Sequence, residues 1–471
     1  MPALLTRLTW FLFVLSLGVL FWSPAPEWMQ NAIVQVDGLT RIMAVVTTFF
    51  SGIIQSFSRR YMAGAKRINA FFGRLFALTL VVILITVSNH LVLFVGAWTA
   101  MGWLLADLIG HVRGWPQARA AARYARWHFL GGSALVGVAL SLLWIQSGTW
   151  TIGGVLSAVP TLPSSVVVAA ALLLLVAAMV QSALVPFHRW LLSSMTAPTP
   201  VSGFMHAGLV NAGGVLLARF APIAFEFSWV MLTIVLAGGV SALLGQAWML
   251  VRTDIKGQLG SSTVAQMGFM VLQCGLGLIP AAITHLILHG FYNAYFFLST
   301  GSVVAHKTPK TKKAADGSVL SGIVALASAL VGGVLFAWVT GKSLTALDSG
   351  LLLTIFVVLS VLHTTRSVVQ RASLPSSVRL WAVPASVLSA IGLYAAIYNG
   401  VSALLAPLPM AVLHTPITPL HWGLAALFLV AYVATERGWH QRSTRLYVAL
   451  LNTSQPVSTT LLHNRDQYNA Y

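Results

Sequence analysis

The stretch THLILHGFYNAYFF sets His285 and His289 four residues apart and Asn293 four further on. On a helix this spacing puts all three side chains on one face. Two histidines so placed admit three chemistries. They can relay protons, because imidazole titrates near neutral pH. They can hydrogen-bond between helices. They can ligate a metal, which needs a third and a fourth donor, and no HExxH pattern accompanies them. Another histidine, His206, lies in APTPVSGFMHAGLVNAG, behind Pro198 and Pro200. It reads either as a satisfied core histidine or as a relay group beside a backbone break. His90, His128 and His363 complete the histidines of the apolar runs.

Carboxylates are scarce. Of nine acidic residues, only Asp107, in GAWTAMGWLLADLIGH, falls within an apolar segment. An intramembrane carboxylate is a functional candidate; its place near the segment end also suits an interfacial pair with Arg113. In RTDIKGQ, Asp254 and Lys256 are expected to form a turn salt bridge at the membrane rim, a transport role being the alternative. Ser261, Ser262, Thr263 and Gln266 of GSSTVAQMG read as interhelical hydrogen-bonding groups or as a lining for water. The single cysteine, Cys274, excludes an internal disulfide and a cysteine metal site, and reads as an inert packed thiol.

The elements that must hold these groups are helices in lipid. The 471 residues are 58% hydrophobic and 8% charged, against roughly 25% charged in soluble proteins. Hydrocarbon leaves no water for the backbone, so long apolar runs read as helices, and no run has the alternation of a barrel strand. Fourteen segments are predicted, at about 3–22, 38–57, 71–88, 91–109, 127–146, 165–185, 201–220, 229–250, 259–279, 281–305, 318–339, 350–370, 380–398 and 420–435. The expected fold is an all-α polytopic membrane helix bundle. Alternate connections carry the basic residues, as in RRYMAGAKR, HVRGWPQARAAARYAR, HKTPKTKK and ERGWHQRSTR. This alternation puts 24 of the 27 Lys and Arg on one side, leaving Arg41, Arg219 and Lys342. The positive-inside rule then makes that side, and both termini, cytoplasmic. The net charge of +18 is therefore read as topology rather than nucleic-acid binding; an acidic partner or anionic lipid is a second use of the same face.

The first segment reads as a retained signal-anchor helix. The run 165–196 reads as a helix broken near Pro186 and briefly resumed. Such breaks are tolerated where freed backbone groups face protein or a hydrated cavity, and they often mark ion sites; a plain proline kink is the other reading. The domain organisation is an N-terminal helix and outer loop (1–36), a transmembrane core (37–435), and a cytoplasmic tail (436–471) that lies on the membrane or docks to a partner.

Four strings, LFVGAWTAMGWLLADLIG, QSALVPFHRWLLSSMTAPTPVSGFMHAGLVNAGGVLLARF, TDIKGQLGSSTVAQMGFMVL and HLILHGFYNAYFFLSTGSVV, together resemble the antiporter-like subunits. That family includes the large proton-pumping membrane subunits of respiratory complex I and the Mrp cation/proton antiporters. The resemblance covers about 37–305 strongly and the rest weakly. It implies a bundle of about fourteen helices with two inverted five-helix repeats, each containing a broken helix, and an ion path through the middle of the membrane.

The departures matter as much. Where the family usually has a glutamate after the tryptophan of the first motif, Trp98 is followed by Thr99. Where it usually has a lysine before the break, Gln181 precedes Ser182 and Ala183. The lysine often found one turn after the paired histidines is Asn293. A glutamate–lysine pair lets each group tune the other's proton affinity; here that pair is lost and the histidines remain. One helix precedes Asp37 where larger members commonly have two, and the long lateral helix is missing from the end.

These departures are most similar to the membrane subunits of two-component DAB inorganic-carbon complexes. That resemblance implies a non-enzymatic transport subunit with no cofactor, catalytic residue or metal site of its own. It implies a large cytoplasmic partner similar to a β-carbonic anhydrase (a DabA-type subunit), which holds zinc. Cation flow would then drive one-way conversion of CO2 to bicarbonate. On this reading His206, His285 and His289 line a proton or sodium route, Asp107 is an entry or coupling group, and Thr99, Gln181 and Asn293 are neutral linings, with Asp254 and Lys256 at the rim. Two rivals stand beside it: an energy-transducing subunit of a complex I-like, hydrogenase-linked or Mrp assembly, and a structural anchor with no live ion route.

Overall fold

The structure, a computed structural model, describes residues 1–22, 31–304, 319–369, 381–409 and 417–461. The connection HKTPKTKK, most of RSVVQRASLPSSVR, and the end of the tail lie outside the described residues. The described chain is helical, with two isolated backbone bridges, Val34 to Ser88 and His90 to Thr151, between the loops at one end.

Helices α1 to α5 span Pro2–Phe21, Gly38–Tyr61, Ile68–Val87, Leu91–Ile109 and Pro116–Ser147. A short α6, Ile152–Ala158, leads into α7, Ser164–Gln181. Then come α8 (Arg189–Ser193), α9 (Thr199–Ala207), α10 (Ala212–Arg219) and α11 (Ala221–Phe225). The longer α12 (Ser228–Val251), α13 (Ile255–Gly275) and α14 (Ile279–Val304) follow. After them lie α15 (Val319–Val339), α16 (Ser349–Val369), α17 (Val383–Leu405) and α18 (Pro419–Glu436), and the tail adds α19 (Trp439–Arg442) and α20 (Thr444–Thr453).

Each predicted segment is helical over most of its described residues, that at 201–220 in two pieces. Twelve of the described spans are long and apolar enough to cross a membrane, fewer than the fourteen expected. The other two segments, α13 and α14, are 21 and 26 residues long. They carry the Ser261–Thr263 stripe and the His285, His289 and Asn293 face, so polar content takes them out of that group. Large apolar side chains such as Phe11, Trp127, Ile145, Leu330 and Trp338 face outward, as lipid contact requires. The chain is a multi-pass membrane protein.

Local chemistry sets the ends. Asp37 caps α2, accepting from Thr40 N at 2.8 Å. Arg59 and Arg60 close the same helix at its negative end. Gly148 terminates α5 with φ of 68°, a left-handed conformation that suits glycine. Two ends of the bundle follow. Tyr61 bonds Thr199 at 3.2 Å, and Lys256 Nζ donates to Ala197 O at 3.1 Å, so these residues share the basic end. Asp37, Thr86 and Arg219 share the other.

Helices α12 and α13 meet along a glycine seam. A Cβ on Gly238 would lie 2.4 Å from Leu272 N, one on Gly245 2.4 Å from Ala265 N, and one on Gly268 2.4 Å from Ala242 N. Small residues allow the two backbones to touch, the usual device for holding helices together in lipid. This seam fixes the helix that bears Thr263.

The chain breaks twice near His206. Helix α7 stops at Gln181, residues 182–188 turn, and α8 resumes for five residues, as expected around Pro186. Ala183 takes a φ of 53° in that turn. The second break was not foreseen: the expected continuous helix over 201–220 is interrupted at Gly208, between α9 and α10.

Candidate functional site

Three elements converge on one buried polar cluster. His206 comes from the last turn of α9, Thr263 from the middle of α13, and His289 and Asn293 from α14. His206, Thr263 and Asn293 are fully buried and His289 is 5% exposed. Removing such groups from water is costly unless they find partners, and the partners are specific. The Thr263 hydroxyl donates to Leu259 O at 2.9 Å. With that proton committed, its oxygen accepts from His206 Nδ1–H at 2.9 Å. The Asn293 amide donates to His206 O at 3.0 Å and to His289 Nε2 at 2.6 Å.

These bonds assign the tautomers. His206 holds its proton on Nδ1 and presents a bare Nε2; His289 accepts at Nε2 and so holds its proton on Nδ1. Neither His206 Nε2, His285 Nε2 nor Asn293 Oδ1 has a protein hydrogen-bond partner. His206 stacks on Phe297 with centroids 4.4 Å apart. His285 stacks on His289 at 5.9 Å and faces Phe269 at 5.6 Å. The result is a row from the His206 carbonyl through Asn293 and His289 to the stacked His285, with an unpartnered ring nitrogen on His206 and on His285. Imidazoles can take up and release protons near neutral pH, whereas the Asn293 amide between them only donates. Among the described residues, no three His, Cys, Asp or Glu side chains gather to hold a metal.

The neutral residues identified from the sequence divide. Asn293 is the hub of the cluster. Gln181 donates to Leu209 O at 3.1 Å, and Ser182 to Val210 O at 2.6 Å, so both tie the end of α7 to carbonyls at the break at Gly208. Thr99 folds its hydroxyl back onto Val95 O at 2.8 Å within its own helix. Lys256 lies two turns before Thr263, about 10 Å along α13. Its ammonium donates to Met195 O and Ala197 O at 3.3 and 3.1 Å. It therefore covers the carbonyls just ahead of α9 at the basic end.

Two pairings differ from expectation. Asp107 does not turn to Arg113. It is clamped by Arg126 at 2.6 Å and Arg74 at 3.5 Å, from α5 and α3, and Arg126 also lies over the Trp103 ring. These arginines come from neighbouring helices and reach the carboxylate more directly than the following loop. Asp254 does not pair with Lys256. It caps α13 through Gly257 N at 2.6 Å and pairs with Arg252 at 2.9 Å, because the cap geometry turns it away from its own helix face.

The sequence reading passed over one charged pair. Asp37 and Arg219 are both buried and joined through Arg219 Nη1 and Asp37 Oδ2. Arg219 Nη2 also reaches Asp37 Oδ1 at 3.3 Å, Thr40 Oγ1 at 3.2 Å and Thr86 O at 3.0 Å. The signal was present: Arg219 is one of three basic residues on the wrong side of the charge asymmetry, and Asp37 stands where α2 needs a cap. The tail is also resolved in part. Thr453 O lies 3.2 Å from His188 Nε2, the Thr453 hydroxyl accepts from Trp248 Nε1 at 2.9 Å, and Val457 N donates to Ser193 Oγ at 3.1 Å. The tail thus docks onto its own chain beside the first break.

The family model described as NADH:quinone oxidoreductase/Mrp antiporter, TM, matches residues 88–360. That of NADH-ubiquinone oxidoreductase (complex I), chain 5 N-terminus, matches 22–72. The chain is 38% identical over 280 residues to a probable inorganic carbon transporter subunit, DabB1, of Halothiobacillus neapolitanus, covering 57% of this chain and 49% of that one. It is 35% identical over 292 residues to NADH-quinone oxidoreductase subunit L of Mycobacterium tuberculosis, covering 61% and 46%. The chain thus spans about half the length of the curated relatives it matches. Its fold is similar to a chain of the Mrp complex from Dietzia sp., with a TM-score of 0.60 and 21% identity over 95% of this chain and 49% of that one. With more than half of its length matched by one family model, the chain belongs to the NADH:quinone oxidoreductase/Mrp antiporter transmembrane family.

Proposed function

We propose that this chain is the membrane subunit of an energy-coupled inorganic carbon transporter. It conducts H+ or Na+ across a bacterial inner membrane, with its termini in the cytoplasm, and the flow drives a cytoplasmic carbonic-anhydrase-like partner that holds zinc. The observation that carries the reading is the buried line His206–Asn293–His289–His285, anchored by Thr263. It supports ion movement without a buried glutamate–lysine pair, whose expected positions hold Thr99 and Gln181. The likeness to a DabB1 subunit supports carbon as the cargo.

In this reading His206 Nε2 takes a proton from water that enters at the basic end, past the Lys256 ammonium, which is held on the Met195 and Ala197 carbonyls. The imidazolium releases a proton to water, which carries it past the Asn293 amide to His289 and His285, since that amide donates and passes no proton itself. A buried histidine is charged only in passing, because the desolvated cation is costly. Asp107 stays in its arginine clamp and holds helices rather than entering the route.

The test is growth in ambient air of a carbonic-anhydrase-deficient host that expresses this chain with the product of the neighbouring gene. Rescue is expected. A stable assembled complex without rescue overturns the carbon reading. The second reading, a subunit of a complex I-like, hydrogenase-linked or Mrp assembly, draws on the likeness to subunit L. It predicts co-purification with redox or antiporter subunits. A structural anchor predicts that histidine replacement leaves activity untouched.

A further inference from the structure

The tail runs as a strap across the basic end of the bundle. Helix α20 lies against α12, and residues 458–460 lie against α5. Between them the chain is tied to the first break. His188 Nε2–H donates to Thr453 O at 3.2 Å, Trp248 Nε1–H to Thr453 Oγ1 at 2.9 Å, and Val457 N–H to Ser193 Oγ at 3.1 Å. Arg252 Nη1 reaches Gln455 Oε1 at 3.4 Å. His188 closes the turn that starts at Ser182, and Ser193 ends α8. At the head of that turn, Gln181 and Ser182 hold the carbonyls at the Gly208 break. The strap is therefore bonded to the segment that links the two breaks.

The two sides of α20 differ. Tyr447, Leu450 and Leu451 are partly buried, and Leu450 packs on the bundle core. On the outward arc, at 3.6 residues per turn, Arg445 falls between Val448 and Leu446, which are 45% and 42% exposed. Trp439 of α19 is 44% exposed, and Arg437, Arg442 and Arg445 are exposed as well. The neighbouring carboxylate, Glu436, is taken by His363 and Arg366. Among the described residues no carboxylate pairs with Arg437, Arg442 or Arg445.

We propose that this outward arc of α19 and α20 is the docking surface for an acidic patch on the cytoplasmic partner, and that the strap passes the contact to the helix break. The proposal rests on the partner and the orientation read above. Charge selects the occupant: three arginines without a counter-ion are complementary to carboxylates across an interface. Arginine and tryptophan beside exposed apolar side chains are common anchors of protein interfaces. Lipid fits less well. An amphipathic helix on a membrane sinks its apolar arc and turns its charges to water. The apolar arc of α20 is already packed on its own bundle, and its outward arc is centred on Arg445.

The experiment co-expresses this chain, tagged, with the product of the neighbouring gene and measures the partner retained per chain after detergent purification. Arg442→Glu with Arg445→Glu is expected to lower retention at least tenfold. Arg59→Glu with Arg60→Glu reverses as many exposed charges at the same end, on α2, and is expected to leave retention within twofold. Thr453→Val with Val457→Pro deletes two strap bonds; Val457 has a φ of −62°, which proline adopts. That variant is expected to retain the partner and to lower proton flux in proteoliposomes of the complex at least threefold. Equal retention by the α20 and α2 reversals overturns the docking surface and leaves the partner reading standing. Retention unchanged in the α20 reversal, with weaker binding to phosphatidylglycerol vesicles, assigns the arc to lipid and also overturns it. Full flux in the strap variant overturns the coupling. If the unaltered chain retains no partner, or its complex carries no flux, the reading above falls and the proposal with it. If the α20 reversal lowers the yield of the chain itself, Arg442→Gln with Arg445→Gln decides: a threefold loss of retention supports docking, and unchanged retention overturns it.

Discussion

Replacing Thr263 with valine tests how the site is held. Valine keeps the β-branched shape and the helix, and deletes one hydroxyl. That hydroxyl is the partner of His206 Nδ1 at 2.9 Å and a weaker acceptor for Asn293 at 3.4 Å. His206 is fully buried and its Nε2 already lacks a protein partner, so Thr263→Val leaves both ring nitrogens without one. Orphaning a buried donor costs about 1–3 kcal/mol. Spread over the competing ring orientations, this lowers the population of the conducting one by about 5–150-fold. The assay is ion flux in proteoliposomes, corrected for assembled complex, with thermal unfolding in detergent measured alongside. We expect at least about a fivefold loss of flux with assembly intact, and recovery of most of it in Thr263→Ser. Full flux in Thr263→Val would refute the claim that this hydroxyl orients the relay.

Other outcomes follow from the same geometry. Gly238→Ala sets a Cβ 2.4 Å from Leu272 N and 2.6 Å from Gly268 O; the overpacking is expected to cost about 1–3 kcal/mol, read as a lower unfolding temperature of the purified complex. Asp107→Asn loosens a clamp whose arginines are 18% and 33% exposed; a loss of at most about 1 kcal/mol with flux retained is expected, checked by unfolding and flux on one preparation. His111, beyond the end of α4, is pulled down to about 4 by burial first and then by Arg74, Arg67 and Arg113. Its folded value lies below its unfolded one, so the unfolded chain binds the proton first. The stability it contributes is present above about pH 6.5 and is lost as pH falls toward 4; unfolding measured across that range should show a slope that His111→Gln flattens.

The helices were legible because lipid demands long apolar runs, and every segment read from the sequence is helical over most of its described residues, that at 201–220 in two pieces. The break near Pro186 was legible because proline removes a donor. The break at Gly208 was not: glycine is common in membrane helices, and only the carbonyls of Leu209 and Val210, taken up by Gln181 and Ser182, reveal it. The i, i+4, i+8 face of α14 was fully visible. That His206 joins it depends on contacts 87 residues apart in the chain, between Asn293 and the His206 carbonyl. Local spacing misled twice: at Asp107, where Arg113 lost to arginines of neighbouring helices, and at Asp254, where the cap turned the carboxylate to Arg252, two residues before it, rather than to Lys256, two after. Asp37 and Arg219 escaped notice for the same reason, since their separation of 182 residues hides a contact that helix ends create.

The central claim, that ion flow through the buried histidine line drives carbon uptake, is tested most directly by following labelled bicarbonate formation in cells that express the assembled complex, with and without a collapsed ion gradient. The account predicts gradient-dependent accumulation that His206→Gln combined with His289→Gln abolishes while the complex remains assembled. Equal accumulation by that variant and by the unaltered chain would contradict it.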